Sequence, residues 1–316
     1  AQLIDTLTGH IEWSELYDRQ FTDVFKFLDE VASEVLTSMN VNLVSGEEAR
    51  IWHKTLSDLK SLEVFYRGID NFFRMTKESL TSARRDFERV AQHHPSLALG
   101  PTWVALTFWY EFQRRWSDSP EETRHQARDW AERAGASEDF DGQAHTVLSH
   151  IYLLDGEFDK ALEAGRIAVQ TRPNCAHANG FFANVLHYCG QDSEALRHIR
   201  LAIRYAPMHP PLFDYILAVV SRAREAPEEA VIAAEAVLLK NPTDVDTIAI
   251  LAVLAIEQGR QQLSADYFKE LVAIDPNFSP MGYAEHQPYR QRSTVLDIAQ
   301  KLDGAAKEYW ETNGLT

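Results

Sequence analysis

Apolar residues recur at helical spacing along most of the chain, and short groups of glycine, proline or asparagine interrupt them. Intervals of three and four residues between apolar positions predict amphipathic helices. From residue 45 onward this pattern predicts helices joined by short turns. Residues 2–17 instead alternate between apolar and polar positions around a turn signal at Gly9, which predicts a β-hairpin.

The helical pattern itself repeats about every 34 residues. A small residue returns at intervals of 34, 35 and 34 residues, and a proline follows each one after twelve positions. The small residues are Ala161, Ala195, Ala230 and Ser264, and the prolines are Pro173, Pro207, Pro242 and Pro276. A unit of two helices cannot bury its apolar faces alone, so stacked units must keep the period. The sequence therefore predicts a solenoid of helix pairs.

Glycine stands five residues before three of these small residues, at positions 156, 190 and 259. This is the predicted turn within a pair, where glycine accommodates a positive φ. One unit has Glu225 at this position instead. Residues 98–139 form a degenerate unit with about ten extra residues, which we place in the segment RRWSDSPEET at 114–123.

These residues resemble the tetratricopeptide (TPR) repeat over roughly 65–280. The matching patterns are Tyr152-x3-Gly156-x-Phe158-x2-Ala161 with Ala168 and Pro173, and Gly190 with Ala195, Ala202 and Pro207. The resemblance implies an all-α fold, a TPR-type superhelix with a short N-terminal β-hairpin remnant. It also implies that the first helix of each unit lines a concave groove.

A wider resemblance covers the N-terminal part. The segments AQLIDTLTGHIEWSELYDR, DVFKFLDEVASEVLTSMNVNLVSGEEAR and LEVFYRGIDNFF are similar to the end of a small TolB-like α/β domain that runs into TPR repeats. That arrangement resembles the C-terminal half of bacterial class III adenylate/guanylate cyclases. It also resembles the sensor half of some winged-helix transcriptional regulators, and this alternative stays open. Because the chain begins without Met or a signal pattern, we expect a piece of a longer protein whose output domain precedes residue 1.

The pattern and the resemblance together predict four regions. Residues 1–20 are the hairpin at the end of a truncated TolB-like domain, and residues 21–64 are connecting helices. Residues 65–286 are an array of five to six repeat units, and residues 287–316 form a C-terminal capping helix. The implied function is a non-catalytic scaffold for protein–protein interaction in bacterial signal transduction, attached to a domain for cyclic nucleotide biosynthesis.

The net charge and the composition limit the classes of molecule that this chain is expected to bind. The net charge of −16 disfavours binding to phosphate backbones, so we expect no nucleic-acid partner. No apolar run is long enough to cross a membrane. We expect a cytoplasmic location, unless an upstream part carries a membrane helix and places the chain outside. A homodimer is left open.

The candidates for chemistry are few. Cys175, His177, His187 and Cys189 resemble a metal-binding set, but a helix over 176–189 would separate its two histidines by about 15 Å. We therefore expect no metal, cofactor or catalytic residue in this chain. A self-contained enzyme that uses the histidine-rich helices is the third hypothesis.

The predicted groove offers a partner site instead. Its inward positions are polar and aromatic, which suits an extended peptide or a partner helix. The alternative is that these residues are only solvated or hold neighbouring repeats together. The predicted groove residues are His150, His177, Asn184, His187, Tyr188, Tyr215 and Arg222.

Overall fold

The computed structural model describes residues 2–4, 11–14, 52, 54–56, 58–137 and 142–312. Within these residues, twelve consecutive helices pack as six pairs, each pair joined by a short turn. The pairs are α1 (Leu59–Phe73) with α2 (Lys77–His93), α3 (Leu99–Gln113) with α4 (Pro120–Gly135), α5 (Gln143–Leu154) with α6 (Phe158–Thr171), α7 (Ala176–Tyr188) with α8 (Asp192–Tyr205), α9 (Pro211–Ala223) with α10 (Pro227–Lys240), and α11 (Val245–Glu257) with α12 (Gln261–Ile274).

Two further helices follow the pairs. The short α13 spans Pro280–His286, and the long α14 spans Arg292–Thr312. The apolar stripe of α14 includes Val295, Ile298 and Leu302, and it packs against α11, α12 and α13. The last helix thus covers the face of the sixth pair that no further pair covers.

The chain begins with the predicted hairpin. Strand β1 (Gln2–Ile4) pairs antiparallel with β2 (Ile11–Ser14), and a bulge falls between Leu3 and Ile4. The turn around Gly9 and most of the connecting helices predicted over 21–64 lie outside the described residues. The all-α class, with a solenoid of helix pairs and a short hairpin, is confirmed.

The small residues of the repeat lie where the two helices of a pair touch. Each one in a second helix has a small counterpart twelve positions earlier in the first helix, and all are at most 1% exposed. In the sixth pair the contact includes a hydrogen bond, because the Ser264 hydroxyl donates to the Ala252 carbonyl at 2.9 Å. The buried counterparts are Ser149 and Ala161, Ala183 and Ala195, Ala218 and Ala230, and Ala252 and Ser264.

Neighbouring pairs also pack closely. The Phe213 ring of α9 lies directly on the backbone of α7 at Gly180, where an added Cβ would come within 2.4 Å of the ring. Side chains larger than hydrogen at this position would push the fifth pair away from the fourth. The stack therefore depends on residue size both within and between pairs.

Every turn within a pair contains one residue with a left-handed backbone. Three of these are the predicted glycines, with φ of 71°, 78° and 70° at Gly156, Gly190 and Gly259. The other three turns use Met75, Arg115 and Glu225, with φ of 58°, 55° and 57°. In five of the six turns, the next residue donates its amide to the carbonyl five positions earlier. The backbone thus keeps the repeat even in pairs whose sequence has lost the glycine.

Replacing Glu225 with glycine should stabilise the protein. A non-glycine residue in the left-handed region is strained by about 1 kcal/mol, and among the described residues the structure shows no side-chain hydrogen bond of the exposed Glu225 that offsets it. We expect Glu225→Gly to raise the free energy of unfolding by about 1 kcal/mol, measured by urea unfolding. Gly156→Ala is the matched reverse change and should lower it by a similar amount. Equal stability of both variants would contradict the assignment of strain to this position.

Candidate functional site

The first helices of distant pairs meet on the inner face of the superhelix. The guanidinium of Arg114, just after α3, lies 2.7 Å from the carboxylate of Asp244 and 2.6 Å from that of Asp246. All three side chains are at most 9% exposed. This contact joins the second pair to the sixth, so the superhelix closes on itself.

Burial and charge act together at this closing contact. Burial raises the pKa of Asp246, although Arg114 acts in the opposite direction. Burial alone would lower the pKa of Arg114, but the two carboxylates outweigh it and hold the pKa well above its ordinary value. Asp244 also begins α11, because it accepts the amide of Thr247 at 2.9 Å. Arg114, Asp244 and Asp246 therefore neutralise one another, and Asp244 also caps the start of α11.

The chain's own C-terminal segment crosses the inner face between α13 and α14. We call residues 286–291 the strap. The Gln287 side-chain oxygen accepts from the Gln113 amide at 3.1 Å and from the Tyr188 hydroxyl at 3.0 Å. The amide nitrogen of Gln287 donates to Asp246 at 3.4 Å. One buried side chain thus connects α3, α7 and α11.

The rest of the strap follows the C-terminal end of α7. The Tyr289 hydroxyl lies 2.9 Å from Nε2 of His187, whose Nδ1 lies 2.6 Å from Asp192. The Arg290 amide donates to the Tyr188 carbonyl at 2.9 Å, and its guanidinium lies 2.8 Å from Asp159. The strap therefore makes backbone as well as side-chain hydrogen bonds to the inner face.

The strap is anchored at its start by His286. Its Nε2 donates to the Phe112 carbonyl at 2.6 Å, and its ring packs on the Phe112 ring with centroids 5.0 Å apart. Burial lowers the pKa of His286. The neutral ring is therefore the favoured state at neutral pH, and it keeps the hydrogen bond to α3.

A cavity of about 460 Å³ opens beside the strap. Within it Arg222 pairs with Glu257 at 2.7 Å and with Asp297 at 2.9 Å, and Lys301 pairs with the same two carboxylates. Burial opposes the charge of Arg222, but attraction to Glu257 raises its pKa. Asp192 and Glu225 add two further carboxylates to the lining, so acidic groups outnumber basic ones there.

Aromatic rings fill the part of the inner face nearest α1. The ring of His177 stacks on that of Phe73, with centroids 5.1 Å apart and planes at 5°. Trp52 and Trp103 also lie against His177, at 6.0 and 5.6 Å. Burial lowers the pKa of His177 to about 3. The ring is therefore neutral at pH 7 and acts as part of an aromatic core.

His150 lies in a similar environment between α3, α5 and α7. Its ring meets those of Trp109 and Phe181 edge to face, at 4.5 and 5.1 Å. Nδ1 donates to the Thr146 carbonyl at 3.1 Å, and burial lowers the pKa of His150 to about 4. The side chain is 0% exposed, so a partner in the groove would not reach it in this conformation.

The structure distributes the seven predicted groove residues over five environments. His187 and Tyr188 bind the strap, Tyr215 is buried near Arg114, and Arg222 lines the cavity. His150 and His177 lie in the aromatic core. Asn184 is buried, and its side-chain oxygen has no hydrogen-bond partner among the described residues. As a set that binds a partner, these residues remain a prediction.

Sequence reasoning missed the residues that organise the inner face. Most of their contacts span 99 to 174 positions, and a 34-residue periodicity contains no signal for contacts that skip several repeats. The strap was also missed, since its residues fall where the array gives way to the capping helix. The missed residues are Gln113, Arg114, Asp244, Asp246, Gln287, Tyr289 and Arg290.

The site shows no arrangement for metal chemistry. Among the described residues, no three or more histidine, cysteine, aspartate or glutamate side chains are grouped so as to hold a metal ion. The two cysteines, Cys175 and Cys189, are both buried thiols without a disulfide. Burial raises the pKa of Cys189 to about 11, so it is not a thiolate at neutral pH.

Comparison with known proteins supports the fold and gives a partial sequence relative. No protein-family model matches the chain. Putative adenylate cyclase 3 of Rhizobium meliloti (strain 1021) is 28% identical over 149 residues, which cover 47% of this chain and 25% of that protein. The chain thus corresponds to about a quarter of the length of this curated relative.

Solved structures resemble the solenoid. The APC/C hetero-tetramer Cut9–Hcn1 contains a chain that matches at a TM-score of 0.54 and 15% identity, over 89% of this chain and 46% of that one. The TPR protein YrrB, which has an unusual peptide-binding site, matches at a TM-score of 0.38 and 18% identity, over 53% of this chain and 86% of that one. The fold is a TPR-type superhelix.

Removing Arg114 should destabilise the closed superhelix strongly. Arg114→Met would leave the carboxylates of Asp244 and Asp246 buried without a counter-charge, so we expect the free energy of unfolding to fall by about 3–5 kcal/mol. Urea unfolding followed by circular dichroism measures the change.

The matched control for Arg114→Met is Arg74→Met. Arg74 pairs with Asp70 on the surface, where both side chains are more than 60% exposed. We expect a change below about 1 kcal/mol for this control. Similar losses in the two variants would show that the buried cluster does not hold the second and sixth pairs together.

Proposed function

We propose that this chain is a non-catalytic protein-interaction module, the regulatory C-terminal part of a bacterial adenylate or guanylate cyclase. The observation that carries the proposal is the 28% identity to a putative adenylate cyclase over 149 residues, on a chain with a TPR-type fold. In this proposal residues 1–20 are the end of a TolB-like domain, residues 21–64 connect it to the array, and residues 287–316 cap the stack.

The inner face suits recognition better than turnover. Its charged side chains form pairs that hold helices in place, as Arg114 does with Asp244 and Asp246. Its histidines are packed against aromatic rings or hydrogen-bonded to neighbouring side chains. Catalytic acids and bases instead need a position from which they reach a substrate.

Regulation in this proposal runs through the shape of the superhelix. Each pair contacts mainly its neighbours, so a partner that changes the packing of one pair shifts those on both sides. The closing contact between α3 and α11 makes the array respond as a unit, since the second and sixth pairs cannot move apart independently. A partner bound at the inner face would thereby bias an upstream output domain.

The proposal also includes the cellular location of the interaction and the charge of the partner. Within the described part of the chain, no helix is long and apolar enough to cross a membrane. The net charge of −16 favours partners with basic segments. We place the interaction in the cytoplasm, next to the nucleotide pool that a cyclase would use.

The parent protein tests this function directly. We expect the few hundred residues upstream of residue 1 in the gene product to contain a class III cyclase domain. The full-length protein should convert ATP or GTP to the cyclic nucleotide with Mg²⁺ or Mn²⁺, measured by mass spectrometry, and the chain of 316 residues alone should not. A winged-helix domain upstream, or turnover by this chain alone, would contradict the proposal.

A further inference from the structure

The strap occupies the inner face in the manner of an extended ligand. Its backbone donates to the inner face through the Arg290 amide, as a bound peptide would. Three of its side chains reach separate partners on different helices: Gln287 meets Gln113 and Tyr188, Tyr289 meets His187, and Arg290 meets Asp159. The pattern is that of a specific sequence in a specific site.

We propose that the strap is an internal ligand, and that the partner of this module is a short protein segment that replaces it. The partner would carry the same chemistry, a side-chain amide followed two residues later by tyrosine and then by arginine. This inference rests on the proposed interaction function, because it names the partner of that inner face.

The charge of the site fits this partner. Arg290 of the strap pairs with Asp159, and the adjoining cavity contains more carboxylates than basic groups. A segment with arginine near its tyrosine would therefore be attracted, whereas an acidic segment would be repelled. Pro288 fixes the backbone before Tyr289, and the Tyr289 amide donates to the Gln287 carbonyl at 2.8 Å in a tight turn around the proline. A partner that resembles the strap would need the same turn.

The strap can leave its site while the fold around it stays. Tyr289 is only half-buried and Arg290 is exposed, whereas the flanking helices hold their own core contacts through Tyr283 and Leu302. Release of the strap would break the hydrogen bonds of Gln287, Tyr289 and Arg290 and the ring contacts of Tyr289, and would leave α14 packed on the sixth pair. A competing partner must still overcome a tethered ligand whose effective concentration is in the millimolar range.

Peptide binding tests the inference. The probe is a fluorescein-labelled synthetic peptide with the sequence of residues 284–292, AEHQPYRQR. We expect the Tyr289→Ala/Arg290→Ala double variant to bind this probe at least tenfold more tightly than the unmodified chain, measured by fluorescence anisotropy. The variant strap has lost its side-chain bonds to His187 and Asp159, so it competes less strongly through the bonds of Gln287 that remain.

Two controls make the result specific. A probe with the tyrosine and arginine replaced by alanine should bind the double variant at least tenfold more weakly. Arg292→Ala, which removes a surface pair with Glu285 just beyond the strap, should bind the probe as the unmodified chain does. A folded double variant that binds the probe no better than the unmodified chain would overturn the inference.

A conservative variant keeps the test valid if the double variant fails to fold. Tyr289→Phe loses only the hydroxyl that meets His187, and we expect it to bind the probe about fivefold more tightly than the unmodified chain. No gain in this folded variant would also overturn the inference. Either failure leaves the cyclase assignment untouched, because that assignment depends on the upstream sequence and on turnover.

Discussion

The structure depends on one packing constraint: a pair of helices cannot bury its own apolar faces and needs the next pair to cover them. The contacts that meet this constraint admit only small residues. Ser264 meets the backbone of Ala252 within a pair, and Gly180 receives the ring of Phe213 from the next pair. A regular repeat of such contacts fixes the curvature of the stack, and curvature brings the first helices of distant pairs together.

The curvature of the superhelix also explains why its inner face contains buried polar side chains that pack against one another. The closing contact places Arg114 between two buried carboxylates, which are acceptable only because each group has its counter-charge and hydrogen bonds. Gln287 of the strap then forms hydrogen bonds with Gln113, Tyr188 and Asp246. Part of the concave surface of this superhelix is therefore lined by the chain's own polar segment.

The sequence predicted the features that recur with the repeat and missed those that occur at a single place in the array. The glycines at 156, 190 and 259 and the exception at Glu225 follow from periodicity, and all four have the left-handed backbone. Met75 and Arg115 carry the same conformation without any local signal, because stacking in the array outweighs the preference of each residue.

The inner face could be predicted only in part. The resemblance to TPR repeats implies which helices turn inward, and on that basis His187, Tyr188 and Arg222 were selected, which the structure places at the strap and the cavity. It does not indicate how far the superhelix closes, since closure depends on small angles between pairs that add up over six units. His150 and His177 were therefore selected as groove residues although they are packed among aromatic rings.

The most direct test of this account is hydrogen–deuterium exchange of residues 286–291 in the unmodified chain. The Arg290 amide donates to the Tyr188 carbonyl, so exchange there requires release of the strap. The account predicts protection well above that of the exposed turn at Met208, and faster exchange in Tyr289→Phe. Exchange of the strap as fast as that turn would contradict a strap bound to the inner face.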